Sequence, residues 1–129
     1  MNKAGVPLLA GSDSLDPFVF PGESLHAELE LLVSAGLTPA QALQTATINP
    51  ARFMGRERST GEVKGGKVAD LVLLDSDPLK DIRNTRKIVG VFAKGRYFSR
   101  TDLDKLLQDA AISFGAKVPV VPAPSPARQ

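Results

Sequence analysis

The feature that most constrains this chain is a short apolar run, Leu8, Leu9 and Ala10, that ends in Gly11, Ser12 and Asp13. Residues 6–10 are expected to form a strand. A strand that delivers a carboxylate at its C-terminal tip is how barrel enzymes present catalytic groups. The stretch from 12 to 22 contains Pro17 and Pro21 and is expected to be a loop. Such a strand needs parallel neighbours, and the remaining sequence offers none.

After that loop the period of the apolar residues changes. Leu25, Leu29, Leu32 and Val33 recur at helical spacing, which predicts a helix over 24–35 closed by Gly36 as a left-handed cap. Thr38 followed by Pro39 is a second start signal, with Thr as N-cap and Pro in the first turn. That helix carries Ala42, Leu43 and Ala46 and should end near Asn49 and Pro50. A further turn of helix through Phe53 and Met54 should close at Gly55. From about Ser59 the character is that of strands. The spacing predicts strand, turn and strand over 61–67, a clear strand over 68–74, a turn at 75–78, and strands at 87–93 and 96–99. Lys94 and Gly95 make a two-residue hairpin connection. Thr101 with Asp104 reads as a capping box for a last helix whose apolar face is Leu103, Leu106, Leu107, Ala110 and Phe114. Residues 117–129, with Pro119, Pro122, Pro124 and Pro126, should be disordered or extended. The chain thus divides into 1–58, 59–100, a helix at 101–116 and the tail.

Composition removes several function classes. A net charge of +2 with scattered Lys and Arg gives no nucleic-acid footprint. Without cysteine there is no disulfide frame and no thiolate metal site. No apolar run approaches the roughly 18 residues of a membrane helix, and no signal-peptide pattern opens the chain, so a cytoplasmic location is expected. Gly61, Gly66 and Lys67 have the spacing of a phosphate loop, but Val68 replaces the required Ser or Thr, and a strand rather than a helix is expected to follow. That motif is rejected, and Gly65 and Gly66 are read as a turn.

An ordered series of segments then carries a resemblance. These are AGVPLLAGSD at 4–13, SLH at 24–26 with ELELLV at 28–33, AGLTP at 35–39, ATINPA at 46–51, GKVADLVLLD at 66–75, NTRKI at 84–88 and VFAKGR at 91–96. Together they resemble the C-terminal part of the amidohydrolase superfamily, in its imidazolonepropionase-like and prolidase-like branch. The resemblance implies an α/β chain: the last strand and helices of a TIM-like (β/α)8 metal-dependent hydrolase barrel, plus part of a small antiparallel β-sandwich. It places Asp13 at the end of the eighth barrel strand. There Asp13 would contact a divalent metal, zinc being the expected ion, and take a proton from the water that attacks an amide or related bond.

The same resemblance exposes what is lacking. The family's other ligands are a His-x-His pair, a mid-barrel lysine or carboxylate and two later histidines, whereas this sequence has one histidine and no cysteine. The chain is therefore expected to be a fragment that hydrolyses nothing alone and binds no metal alone. Its partner would be the missing barrel segment, in the same chain or another, or a second copy. A small molecule would be the substrate of the complete enzyme. Read without the resemblance, Asp13 is a turn residue or a cap. His26 is a structural or surface histidine able to pair with Glu30 one turn on, with substrate contact as the sharper alternative. Asp70 and Asp75 are turn and edge residues. The competing class is a non-catalytic interaction or assembly module, or the relic of a truncated gene.

Overall fold

The computed structural model describes residues 5–13, 21–113 and 115. The loop expected at 14–20, Phe114 and the proline-containing tail lie outside the described residues. The elements run α1 (Glu23–Ser34), α2 (Pro39–Ala46), α3 (Ile48–Phe53), β1 (Leu71–Leu74), a 3-10 helix (Ile82–Arg86), β2 (Ile88–Ala93), β3 (Arg96–Ser99) and α4 (Arg100–Ser113). The chain is α/β, with one three-stranded antiparallel sheet in the order β1-β2-β3.

Each helix end has a local cause. α1 stops where Gly36 turns left-handed at φ 102°. The Gly36 amide then reaches the Val33 carbonyl at 2.9 Å and the Leu37 amide reaches Leu32 at 3.1 Å, the two bonds of a Schellman closure. α2 opens on Thr38, whose hydroxyl accepts from the Gln41 amide while the Gln41 side chain accepts from the Thr38 amide. The helix does not run on to Asn49 and Pro50 as expected. It breaks at Thr47 (φ −128°, ψ −89°), because Pro50 has no N–H for the Ala46 carbonyl, and α3 restarts at Ile48. The core lies where α1, α2 and the 3-10 helix meet. Leu29, Ala42 and Ile82 are buried there, with Leu32, Val33, Leu43 and Ala46 packed around them.

The sheet is fixed by its turn. Lys94 (φ 51°) and Gly95 (φ 78°) form the expected two-residue connection, in the left-handed pair that suits strand twist. Asp70 is more than an edge residue: its Oδ1 accepts from the Lys94 amide at 2.6 Å, so β1 grips the β2–β3 turn. β1 is shorter than the expected 68–74, since Val68 donates back to Ser59 at 2.9 Å instead of joining the ladder. Residues 61–67 form turns, not strand, turn and strand. No strand among the described residues lies beside them, and Gly61 (φ 91°) presses against α3, where a Cβ would sit 2.7 Å from that of Ala51. The cap of α4 is also displaced. Ser99, not Thr101, is the N-cap, exchanging bonds with Asp102 at 2.9 and 3.3 Å, while Asp104 pairs with Arg100 one turn on at 2.6 Å. Leu106 and Leu107 are exposed, and α4 buries no residue among those described. No helix among the described residues is long and apolar enough to cross a membrane.

Candidate functional site

Residues 6–10 are not the strand that the apolar run predicts. A strand needs a neighbouring ladder, and none of the described strands lies beside this one. The segment instead lies on the break between α2 and α3. With α2 interrupted at Thr47, the Thr45 carbonyl accepts from the Ala10 amide at 2.9 Å. Asn49 Nδ2 donates to the Leu8 carbonyl at 3.0 Å, and Glu28 Oε1, from α1, accepts from the Gly11 amide at 2.9 Å. Thr45 itself is buried, its hydroxyl donating to the Ala42 carbonyl at 2.6 Å. Three helices thus hold the chain up to Gly11, and Asp13 emerges two residues later, exposed and left-handed at φ 46°. Aspartate tolerates that conformation better than most residues, and single left-handed residues of this kind cluster at functional tips.

His26 is elsewhere. Its Nδ1 lies 3.0 Å from Thr85 Oγ1, and Thr85 is buried in the 3-10 helix. The Thr85 hydroxyl also lies 2.9 Å from the Ile82 carbonyl, and when it donates there the ring donates from Nδ1. The pairing with Glu30 considered from helical spacing does not form. Glu30 binds Arg86 at 2.8 Å, and Arg86 also meets Glu23. His26, Glu30 and Glu23 therefore face the 3-10 helix together and tie the helical region to the strands, and no described contact joins His26 to Asp13.

Lys67 closes the question of the phosphate-loop spacing. Its ammonium meets the Glu62 carboxylate at 2.7 Å and the carbonyls of Glu57 and Thr60, so its three protons are committed. The hydrogen bond and charge of Lys67 hold the Glu62 carboxyl below the usual carboxylate range. Glu28 and Thr45 went unsuspected in the sequence. Glu28 did leave a signal: with Leu25, Leu29 and Leu32 it sits at the i, i+3, i+4, i+7 positions of the buried stripe, where a carboxylate needs a partner.

Residues 1–97 match the amidohydrolase family. The chain is similar to ochratoxinase from Aspergillus niger, 30% identical over 117 residues, covering 87% of this chain and 23% of that protein. It is also similar to imidazolonepropionase from Shouchella clausii, 39% identical over 77 residues, covering 59% of this chain and 17% of the relative. Among solved structures, a candidate prolidase from Bifidobacterium longum superposes with a TM-score of 0.71 at 37% identity, covering 84% of this chain and 28% of that one. The chain thus spans less than a third of the length of each of these proteins. Members of this family are generally metal-dependent. The residues present here do not fit a metal centre by themselves: among the described residues no three His, Cys, Asp or Glu side chains come together, and the sequence has a single histidine.

Proposed function

The chain belongs to the amidohydrolase family, and on that premise we propose that it is the C-terminal portion of a hydrolase of C–N bonds other than internal peptide bonds. Dipeptides and cyclic amides are the substrate class, in keeping with the relatives called imidazolonepropionase and candidate prolidase. In this reading residues 1–58 are the end of a (β/α)8 barrel, and residues 59–100, with β1 to β3, belong to a small β-sandwich. Asp13 is the catalytic carboxylate, holding and passing on a proton at its side-chain oxygens. The observation that carries the reading is the three-helix hold on residues 8–11, with Asp13 exposed two residues beyond it.

The missing partner is the rest of the barrel, in the same chain or in another. It would supply the histidines for a divalent metal, zinc being the expected ion, and the backbone ladder that residues 6–10 lack. The sheet asks for cover as well. Val72 and Val89 lie exposed on one face, and Leu73 and Tyr97 on the other, whereas a sheet solvated on one side would alternate apolar and polar residues. The chain by itself is then inactive, cytoplasmic and prone to self-association through open strand edges. Size-exclusion chromatography with light scattering should find species larger than a monomer, and a well-folded monomer at high concentration would refute that part.

A second reading, a non-catalytic assembly module or truncated relic, draws on the absence of a three-ligand cluster among the described residues. One experiment separates the two. The species containing this chain is isolated from its source and assayed on dipeptides, N-acyl amino acids and cyclic amides. Turnover that falls about 10²–10⁴-fold in Asp13→Asn, with the fold kept, is the expected result. No turnover of any compound, or a near-normal rate in Asp13→Asn, would favour the module.

A further inference from the structure

We propose that Glu28 is the positioning residue of the Asp13 tip, a role that rests on the reading of Asp13 as the catalytic carboxylate. Glu28 lies in the middle of α1, on the stripe that also carries Leu25, buried Leu29 and Leu32. A glutamate on a helix surface ordinarily turns its carboxylate to water. This one turns inward. Oε1 accepts from the Gly11 amide at 2.9 Å across seventeen residues of sequence, and Oε2 is buried with no hydrogen-bond partner among the described residues.

A carboxylate oxygen excluded from water and left without a donor is unfavourable, so the other oxygen must hold something that matters to the fold or to the site. What it holds is the Gly11 amide, two residues before Asp13. The earlier bonds, Asn49 to Leu8 and Ala10 to Thr45, are made by neutral groups five and three residues from Asp13. The Gly11 bond is two residues away and is made to a carboxylate, whose hydrogen bonds are shorter and stronger than those of neutral acceptors. Sterics do not explain Gly11 itself, since a Cβ there would meet nothing within 4 Å. A left-handed, non-glycine residue such as Asp13 persists only where the surrounding chain over-determines it. Glu28 contributes to that constraint from the neighbouring helix and thereby to where the Asp13 carboxylate points.

The test has two arms. In the full 129-residue chain, amide exchange followed by NMR should show Gly11 protected in the parent and in Glu28→Gln, whose amide oxygen can still accept. Protection should drop about tenfold or more in Glu28→Ala, with Ala10 unchanged. In the isolated active species, using the compound of the panel turned over fastest, Glu28→Ala should lower kcat about 30-fold at a KM within about twofold, as expected for a misplaced catalytic group. Glu28→Gln should restore most of the rate with the acid limb of the pH profile unmoved, which distinguishes positioning from proton transfer by Glu28 itself. Unchanged Gly11 exchange in Glu28→Ala overturns the proposal, and so does a normal kcat in that variant while Asp13→Asn is dead. A Glu28→Gln variant as inactive as Asp13→Asn overturns it in favour of a direct chemical role. Full activity in Asp13→Asn, or no turnover at all, removes the catalytic reading and this proposal with it, even where Gly11 exchange behaves as expected.

Discussion

In the helical region Leu29, Ala42 and Ile82 close on one another and exclude water, whereas in the sheet Val72, Leu73, Val89 and Tyr97 remain 40 to 55% exposed. Both regions are rich in apolar residues, so composition alone does not cause the difference. α1 and α2 each present one stripe and find a partner for it within the chain. β1 and β2, LVLL and IVGVFA, are apolar on both faces and can cover neither by themselves. The helical region thus closes a small core of its own beside the Asp13 tip, while the sheet is organised by turns and register and keeps apolar residues exposed on both faces.

The largest effect should come from breaking the side with the closed core. Leu29→Ala removes the centre of the three-way contact and should cost about 2–5 kcal/mol, measured by denaturant unfolding. A Val72→Ala variant should lose well under about 1 kcal/mol, since its side chain is 55% exposed. Equal losses at the two positions would mean that the sheet buries its faces in solution, through self-association, and the comparison would fail.

Gly61 and Gly90 sharpen the contrast further. A Cβ at Gly61 would meet the Ala51 Cβ at 2.7 Å and backbone at 3.1 Å, at a φ of +91° that L residues avoid. Gly61→Ala should cost about 2–3 kcal/mol. At Gly90 the obstacle is the Tyr97 ring at 2.8 Å, a half-exposed side chain that can swing away, although it also packs on Phe92 at 4.9 Å. Gly90→Ala should therefore cost only about 1 kcal/mol. A larger loss at Gly90 than at Gly61 in thermal unfolding would show that the Tyr97 face is held more tightly than its exposure suggests.

How much of this was legible follows the same division. Signals whose cause is local read through correctly: Gly36 as a left-handed cap, Thr38 and Pro39 at a helix start, and Lys94 and Gly95 as a hairpin turn. Residues 6–10 and 61–67 were read as strands because their composition suits strands, yet a strand is a property of a pair, and no described neighbour exists for either. The α4 cap was misplaced because Asp102 and Asp104 both lie three residues beyond a hydroxyl, Ser99 and Thr101 respectively, and the sequence alone does not rank them. The hold on the Asp13 tip was invisible for a different reason. It depends on which carbonyl the break at Thr47 leaves free and on which way one glutamate of α1 turns.

The smallest expected effect lies at the junction of β3 and α4, where a sheet without cover meets a helix without a buried residue. Asp102 accepts from the Ser99 hydroxyl at 2.7 Å and from its amide at 2.9 Å. These bonds, with the side-chain one foremost, hold the Asp102 carboxyl below its ordinary value. A carboxylate depressed in the folded state contributes stability that is fully present above its unfolded pKa of roughly 3.9 and is lost as pH falls through the lower folded value. Helicity should therefore stay level from neutrality to about pH 5, and α4 should fray from its first turn below about pH 4. Asp102→Asn should remove that acid-dependent step while leaving Leu29 packing untouched, measured by circular dichroism and by the amide shift of Ser99. If acid instead unfolds α1 and α4 together with one midpoint, the two regions are coupled more tightly than a single ion-paired 3-10 helix between them implies. The division into a half with a closed core and an uncovered half would then have to be redrawn.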